Sequence, residues 1–221
     1  KVVNINDLKD LYLKEYMSNS NSIIFRIQEQ FKTNLYPYIS KVDAFVFLTD
    51  EKATHFKIQD KPWVRIESMI NPNEIVFKSD SNEKTGKKVV MYSGTLAERY
   101  GILDLLAAFQ EINDPNYELW ICGSGNTQED IKSIALTDNR IKFWGLLPRE
   151  HALELQRRAT VLVNPRNSDG EYTKYSFPSK IMEYLLSGTA CIMRQLPGIP
   201  FEYNKYIFMV EDNKISSLKN K

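Results

Sequence analysis

Lys180 and Glu183 stand three residues apart, directly after the run Ser176-Phe177-Pro178-Ser179. In a helix that spacing puts an ammonium and a carboxylate on one face. A proline in a first turn is preorganised for a helix and gives up only an N–H that has no intrahelical partner. Ser176 is a candidate cap. The free N–H groups of the first turn and the positive end of the helix dipole attract an anion, and Lys180 adds a full charge there. Glu183, one turn deeper, offers a carboxylate to hydroxyl groups. Phosphate first and hydroxyls second is the order of groups in a ribose diphosphate. The plain structural alternative is a solvent-facing Lys–Glu pair on an ordinary helix, a contribution of about 0.2–0.5 kcal/mol.

The elements that would position this pair follow a regular rhythm from residue 88 onward. "KVVMYSG", "YELWICG", "RIKFWG", "TVLVNP", "TACIM" and "YIFMV" read as buried strands. Helical stretches through "GILDLLAAFQEI", "TQEDIKSIAL", "REHALELQRRA" and the Pro178 segment alternate with the first five. Such alternation predicts a parallel sheet covered on both faces, and right-handed crossovers make it a doubly wound, Rossmann-like α/β domain. Ligands of such sheets bind outside the carboxyl ends of the strands. The function-bearing loops are therefore expected at "SGTLAERYG", "CGSGN", "WGLLP" and "NPRNSDGEYTKYSFPSK".

Upstream, Ile24, Ile27, Phe31 and Leu35 recur at the helical period, so residues 1–40 read as helical. "VDAFVFLT" (42–49) and "WVRIESM" (63–69) read as strands, with a helix from about Asp50. These pieces supply too little sheet for a complete domain. Residues 1–70 are expected to be the tail of a second α/β domain, 71–87 a polar linker with Pro72 and Gly86, and 88–221 the Rossmann-like domain. The chain opens on Lys1 and is expected to be a segment of a longer protein.

Bulk composition narrows the function. The 221 residues carry a formal charge of +1, with 43% hydrophobic and 26% charged residues. A balance this even gives no broad electrostatic case for nucleic acid or an anionic membrane. No apolar run reaches bilayer length. The two cysteines, Cys122 and Cys191, sit in strands and read as inert core thiols of a reducing compartment. No Asp-x-Asp, no His pair at helical spacing and no Cys-x-x-Cys points to a metal. "CGSGN" carries Gly123 and Gly125, but Gln128 holds the third fingerprint position, so a tight strand-to-helix turn accounts for both glycines. His55 and His151 have charged neighbours and read as solvated.

Taken in order, "YSGTLAERYGILDLLAAF", "ICGSG", "IKFWGLLPREHALELQRRATVLVNP" and "SFPSKIMEYLLSG" resemble the family-4 (group 1) glycosyltransferases. "QLPGIPFEYNKYI" is similar to their bacterial surface-polysaccharide branch. The resemblance covers residues 88–211, and "ISKVDAFVFLTDEKATHF" is similar to the end of the family's acceptor-side domain. It implies a GT-B enzyme with two Rossmann-like domains, the C-terminal one holding a nucleotide-diphosphate sugar. Glu183 would then contact the ribose, Ser179 and Lys180 would face the diphosphate, and Gly145, Leu146 and Leu147 would meet the base. Gly94, followed by Thr95, would let the chain pass close to the phosphates.

Three departures qualify the resemblance. The family's signature carries a second glutamate eight positions before the ribose-binding one, and here Tyr175 stands at that place, with Glu171 the nearest upstream carboxylate. The family often has an arginine after the glycine of the first loop and a lysine before the next glycine. This chain has Thr95 and Tyr100, so Arg99 is the substitute expected for the leaving-group cation and Arg166 a second candidate. The glycine-rich acceptor-side loop and its catalytic histidine or acid have no counterpart.

The implied reaction is retaining transfer of a sugar from a nucleotide-diphosphate donor to a hydroxyl of a glycan or lipid-linked acceptor. No metal cofactor is expected; Lys180, Arg99 and helix N–H groups would stabilise the departing diphosphate. The implied setting is the bacterial cytoplasm, at the inner membrane face if the acceptor is lipid-linked. Rival readings are a nucleotide-sugar epimerase or phosphorylase of the same architecture, and a non-catalytic nucleotide-sugar-binding subunit. A hydrolase would need paired carboxylates, and Asp169 and Glu171 share one loop without an opposed partner.

Overall fold

The computed structural model describes residues 2–3, 39, 41–58, 60–71 and 86–221. The helix expected over Ile24, Ile27, Phe31 and Leu35, and most of the linker expected at 71–87, lie outside the described residues.

Two compact units emerge. The first takes in Lys1–Ser68 with Asp169–Phe177 and Pro197–Pro200; the second takes in Met69–Ser168, Pro178–Leu196 and Phe201–Lys221. Residues 169–177 and 197–200 thus group with the first unit, while the rest of 88–221 belongs to the second.

In the first unit, β1 (Val2–Val3), β2 (Ala44–Phe47) and β3 (Trp63–Arg65) form a parallel sheet in that order. Val2 and Val3 are strand where helix was expected, paired with Ala44 and Phe45. The segment is too short to show its own period, so only its distant partner reveals it. Helix α1 (Asp50–His55) follows β2, and Val42, Phe45, Phe47, Ala53 and Ile58 form the core. His55 is half-buried rather than solvated, its ring 4.9 Å from that of Tyr175 and 5.3 Å from that of Phe56.

The second unit is built on six parallel strands: β4 (Lys88–Ser93), β5 (Tyr117–Cys122), β6 (Ile141–Gly145), β7 (Val161–Asn164), β8 (Ala190–Arg194) and β9 (Phe208–Val210). Their spatial order is β6-β5-β4-β7-β8-β9, the doubly wound arrangement in which chain direction across the sheet reverses between the first and fourth strands.

The helices are α2 (Ile102–Gln110), α3 (Gln128–Thr137), α4 (Arg149–Arg158), α5 (Lys180–Ser187) and α6 (Ile215–Lys219). Strand residues alternate between the two sheet faces. Tyr92, Leu119, Ile121 and Val163 pack in one cluster with Leu106 and Phe109 of α2, Ile131 of α3 and Leu218 of α6. On the other face α4 packs on β4 and α5, and α5 on β8. A sheet covered on both sides demands near-continuous apolar strands, which is why Val89, Met91, Leu119 and Ile121 are all fully buried.

The switch point is physically open. β4 pairs with β5 from Lys88↔Tyr117 to Ser93↔Cys122, but with β7 only at Val90↔Val161 and Met91↔Leu162. Past Met91 the two strands part, and the loops that follow them frame the crevice. Among the described residues no helix is long and apolar enough to cross a membrane.

Candidate functional site

The carboxyl ends of β4, β5 and β6 open into a pocket of about 350 Å³. Its floor is Ser93 and Cys122. Its walls are the loops Gly94-Thr95, Gly123-Ser124 and Leu146-Leu147, with Arg149 and Ala152 from the start of α4 and Lys180 and Glu183 from the start of α5. Ligand sites of this size are common, and this is the rim where a doubly wound sheet binds them. A larger cavity, about 730 Å³, lies at the opposite rim between α2, α6 and the sheet. Its walls are mainly apolar (Val90, Leu105, Phe109, Ile192), and it lies away from the loops at the strand carboxyl ends, so we place the chemistry in the smaller pocket.

Each wall has a local reason to be where it is. The Gly123 N–H donates to the Gly145 carbonyl at 2.8 Å and the Gly94 N–H to the Cys122 carbonyl at 3.0 Å, so the three loops are laced together. Gly123 has φ +141°, and a Cβ there would lie 1.8 Å from the Gly94 carbonyl oxygen. Gly125 is equally constrained, with the Leu96 carbonyl oxygen 2.0 Å from a Cβ. The glycines of "CGSGN" therefore serve the close passage of two loops, and Gly123 also lines the pocket. Gly94 differs: a Cβ there would meet no backbone but the end of the Tyr92 ring, the hydroxyl at 3.1 Å and its ring carbon at 3.3 Å. The fold constrains position 94 less severely than 123 or 125, through one side chain rather than backbone.

Helix α5 starts two residues later than Pro178. Ile181 and Met182 donate to the carbonyls of Pro178 and Ser179 at 3.0 and 3.2 Å, a tight opening turn. Ser179, exposed, holds the cap position without a side-chain cap bond. The Ser176 hydroxyl expected as cap instead donates to the Tyr172 carbonyl at 3.1 Å. Ile181 and Tyr184 anchor the helix in the core, 0% and 1% exposed. The adjacent flank of its first turn carries Lys180 and Glu183.

Lys180 Nζ lies 2.7 Å from Glu183 Oε2, and Arg149 Nε lies 3.6 Å from Glu183 Oε1. Glu183 is the least exposed of the three side chains, at 17% against 40% for Lys180 and 46% for Arg149. Two cations thus share one carboxylate, beside the amino ends of two helices whose dipoles add positive potential. The arrangement has excess positive charge to offer an anion. Cys122 is a free, buried thiol; burial pushes it up to about 12, with the Lys180 charge working the other way. At neutral pH it is a neutral wall group.

Of the residues the sequence nominated, Gly94, Thr95, Leu147, Lys180 and Glu183 gather around this pocket, and Ser179 caps the helix that supplies two of them. Arg99 and Arg166 lie outside its lining: their guanidinium carbons sit 4.8 and 5.5 Å from the Tyr100 ring centre, and Arg166 is only 5% exposed. Tyr175 belongs to the first unit, against His55. Ser93 and Ser124 fall within the nominated loops without having been singled out, and the sequence reading missed Arg149 and Ala152. Arg149 follows a proline at a helix start, as Lys180 nearly does, which is the one local signal it offers.

Residues 74–221 match the family model described as glycosyl transferases group 1. None of the curated proteins matches the chain. Among solved structures, sucrose-phosphate synthase from Thermosynechococcus elongatus is similar over 99% of this chain and 56% of its own, with a TM-score of 0.71 and 17% identity. A glycosyltransferase from Rickettsia africae ESF-5 covers 86% of this chain and 55% of its own, at TM-score 0.67 and 16% identity. Anabaena Alr3699/HepE in complex with UDP covers 81% and 52%, at TM-score 0.64 and 15% identity. The chain spans about half the length of these proteins, and at such identities the likeness is one of fold.

Proposed function

This chain belongs to the glycosyl transferases group 1 family, and from that premise we propose that its second unit binds the nucleotide-diphosphate sugar donor of a glycosyl transfer. The observation that carries this reading is the convergence of Lys180, Arg149 and two helix amino termini on one half-buried carboxylate, in a pocket at the strand carboxyl ends. A site with that surplus of positive charge favours a diphosphate.

In this reading the diphosphate lies against the start of α5, Glu183 accepts hydrogen bonds from ribose hydroxyls, and the base rests by Leu146 and Leu147. Gly94 and Thr95 border the phosphates. HepE is solved with UDP and with UDP-glucose, and UDP is the first ligand we assign here. With Arg99 and Arg166 both drawn to Tyr100, Lys180 and the helix N–H groups are the donors we assign to the leaving diphosphate, without a metal. Placing fixed donors where charge develops lowers the barrier because they need not reorganise. The acceptor we propose is a hydroxyl of a glycan or lipid-linked glycan, with retention at the anomeric carbon. A lipid-linked acceptor would bring the protein to a membrane face.

Thermal shifts with UDP, GDP, ADP and CDP test the reading. A ligand at a hundred times its dissociation constant stabilises a fold by about 2.7 kcal/mol. A charged hydrogen bond contributes about 1.5–3 kcal/mol, so Lys180→Ala should weaken the best ligand about ten- to a hundred-fold. Silence across the panel on folded protein would overturn the proposal.

One observation favours a second reading, a non-catalytic binding subunit: Tyr175 stands where the resemblance leads one to expect a carboxylate. That reading predicts donor binding without sugar transfer in the full-length protein.

A further inference from the structure

We infer that Arg149 is a positioning residue that holds the Glu183 carboxylate when Lys180 turns to a diphosphate. This inference rests on the donor-site reading above and goes beyond it.

Lys180 is asked to do two things. It pairs with Glu183 Oε2 at 2.7 Å, and it is the cation at the start of α5, where a diphosphate would lie. Its ammonium sits on a flexible stem, and a diphosphate carries more charge than one carboxylate. Occupation of the site therefore draws Lys180 off Glu183. At 17% exposure that carboxylate has little water to replace the lost partner, and a poorly solvated, unpaired charge is costly. Glu183 needs a second cation at that moment, or it swings away from the ribose hydroxyls.

Arg149 is placed for that role. Its Nε faces the other oxygen, Oε1, at 3.6 Å. A small movement would let the planar guanidinium span both oxygens, the two-pronged geometry that arginine gives to carboxylates. The proximity is not a by-product of helix spacing, as it is for Lys180 and Glu183, because Arg149 comes from a different helix. Nor does α4 gain from it: a cation in a first turn lies at the unfavourable end of the helix dipole. The packing of α4 against α5 delivers Arg149 to Glu183.

The test measures UDP affinity by calorimetry for the wild type, Arg149→Met, Arg149→Lys, Glu183→Gln, Lys180→Ala and the double variant Arg149→Met/Glu183→Gln. Arg149 is well exposed, so melting temperatures should match the wild type and serve as the folding control. Loss of a charge-assisted contact predicts that Arg149→Met weakens UDP about ten-fold, with Arg149→Lys in between because it keeps the charge and loses the fork. In the Glu183→Gln background the Arg149→Met change should have no further effect, since the charge it serves is gone. That dependence is what a merely structural role, or a direct contact with the phosphates, would not produce. Binding that Lys180→Ala weakens and Arg149→Met leaves untouched overturns this inference alone, as does an equal Arg149→Met loss in both backgrounds. A wild type that binds no nucleotide overturns the donor-site reading and this inference with it.

Discussion

The Tyr184 hydroxyl closes both hydrogen bonds of the Ser93 backbone, accepting from its N–H at 3.0 Å and donating to its carbonyl at 3.1 Å, across 91 residues of chain. Ser93 is the last residue of β4, and its ladder with β7 has already ended at Met91. The side chain of α5 thus stands in for the strand that has peeled away. One helix thereby fixes the pocket floor with Tyr184 and lines the same pocket with Lys180 and Glu183. The loop that begins at Gly94 inherits its position from that contact.

Tyr184→Phe should therefore lower stability and nucleotide affinity together. Two buried backbone groups lose their partner, at about 1–3 kcal/mol for each group left unsatisfied. In a protein of this size that is roughly 2–4 °C in melting temperature per kcal/mol. Thermal unfolding with and without UDP measures both effects. An unchanged melting temperature would show that the hydroxyl contributes nothing to holding β4 open.

Gly94 and Gly123 should separate ligand demand from fold demand. Gly123→Ala drives a Cβ into the Gly94 carbonyl and strains a positive φ, a cost above about 1 kcal/mol, so the variant should melt well below the wild type. Gly94→Ala meets only the end of the buried Tyr92 side chain and should melt above the Gly123→Ala variant while losing most of its response to UDP. Equal melting temperatures for the two variants would contradict the close passage of the Gly94 and Gly123 loops.

What could be read in advance follows from the range of the interactions. Strands β4 to β9 announce themselves because a sheet covered on both faces needs apolar runs, and Lys180 and Glu183 because their relation is three residues of one helix. Arg149 reaches Glu183 only through the packing of two helices, and Tyr184 reaches Ser93 only through the whole crossover, so neither leaves a local mark. His55 looked solvated from its charged neighbours; its ring contact with Tyr175 comes from a segment 120 residues away. Arg99 was expected only as a substitute, because Thr95 and Tyr100 stand where the family often has its two cations, and the Tyr100 ring gathers both Arg99 and Arg166, a contact no local pattern announces.

Glu183 should confer a preference for ribose. A hydrogen bond to a charged acceptor contributes about 1.5–3 kcal/mol, so UDP should bind at least about ten-fold more tightly than its 2′-deoxy form if the 2′-hydroxyl is the donor. Glu183→Gln should shrink that ratio while keeping the side chain's shape. Competition calorimetry with the two nucleotides measures it. A ratio that survives the substitution would move the ribose contact to another residue.

The two buried thiols should contribute to a loss of stability at alkaline pH. Cys122 and Cys191 are each pushed up to about 12 from an ordinary 9.0, chiefly by burial, which disfavours the thiolate. A pKa raised on folding means that the folded state holds a proton which the unfolded state releases. The stabilisation is then fully present below pH 9 and is lost progressively between pH 9 and 12. Each thiol adds a slope of up to about 1.4 kcal/mol per pH unit in that window. Tyr184 is likewise raised by burial and steepens the decline above pH 10. Melting temperatures should therefore be level near neutrality and fall above pH 9. The Cys122→Ala/Cys191→Ala double variant, although less stable at neutral pH through lost packing, should show a visibly shallower fall between pH 9 and 10. If the two profiles run parallel there, the thiols are not the groups that hold those protons.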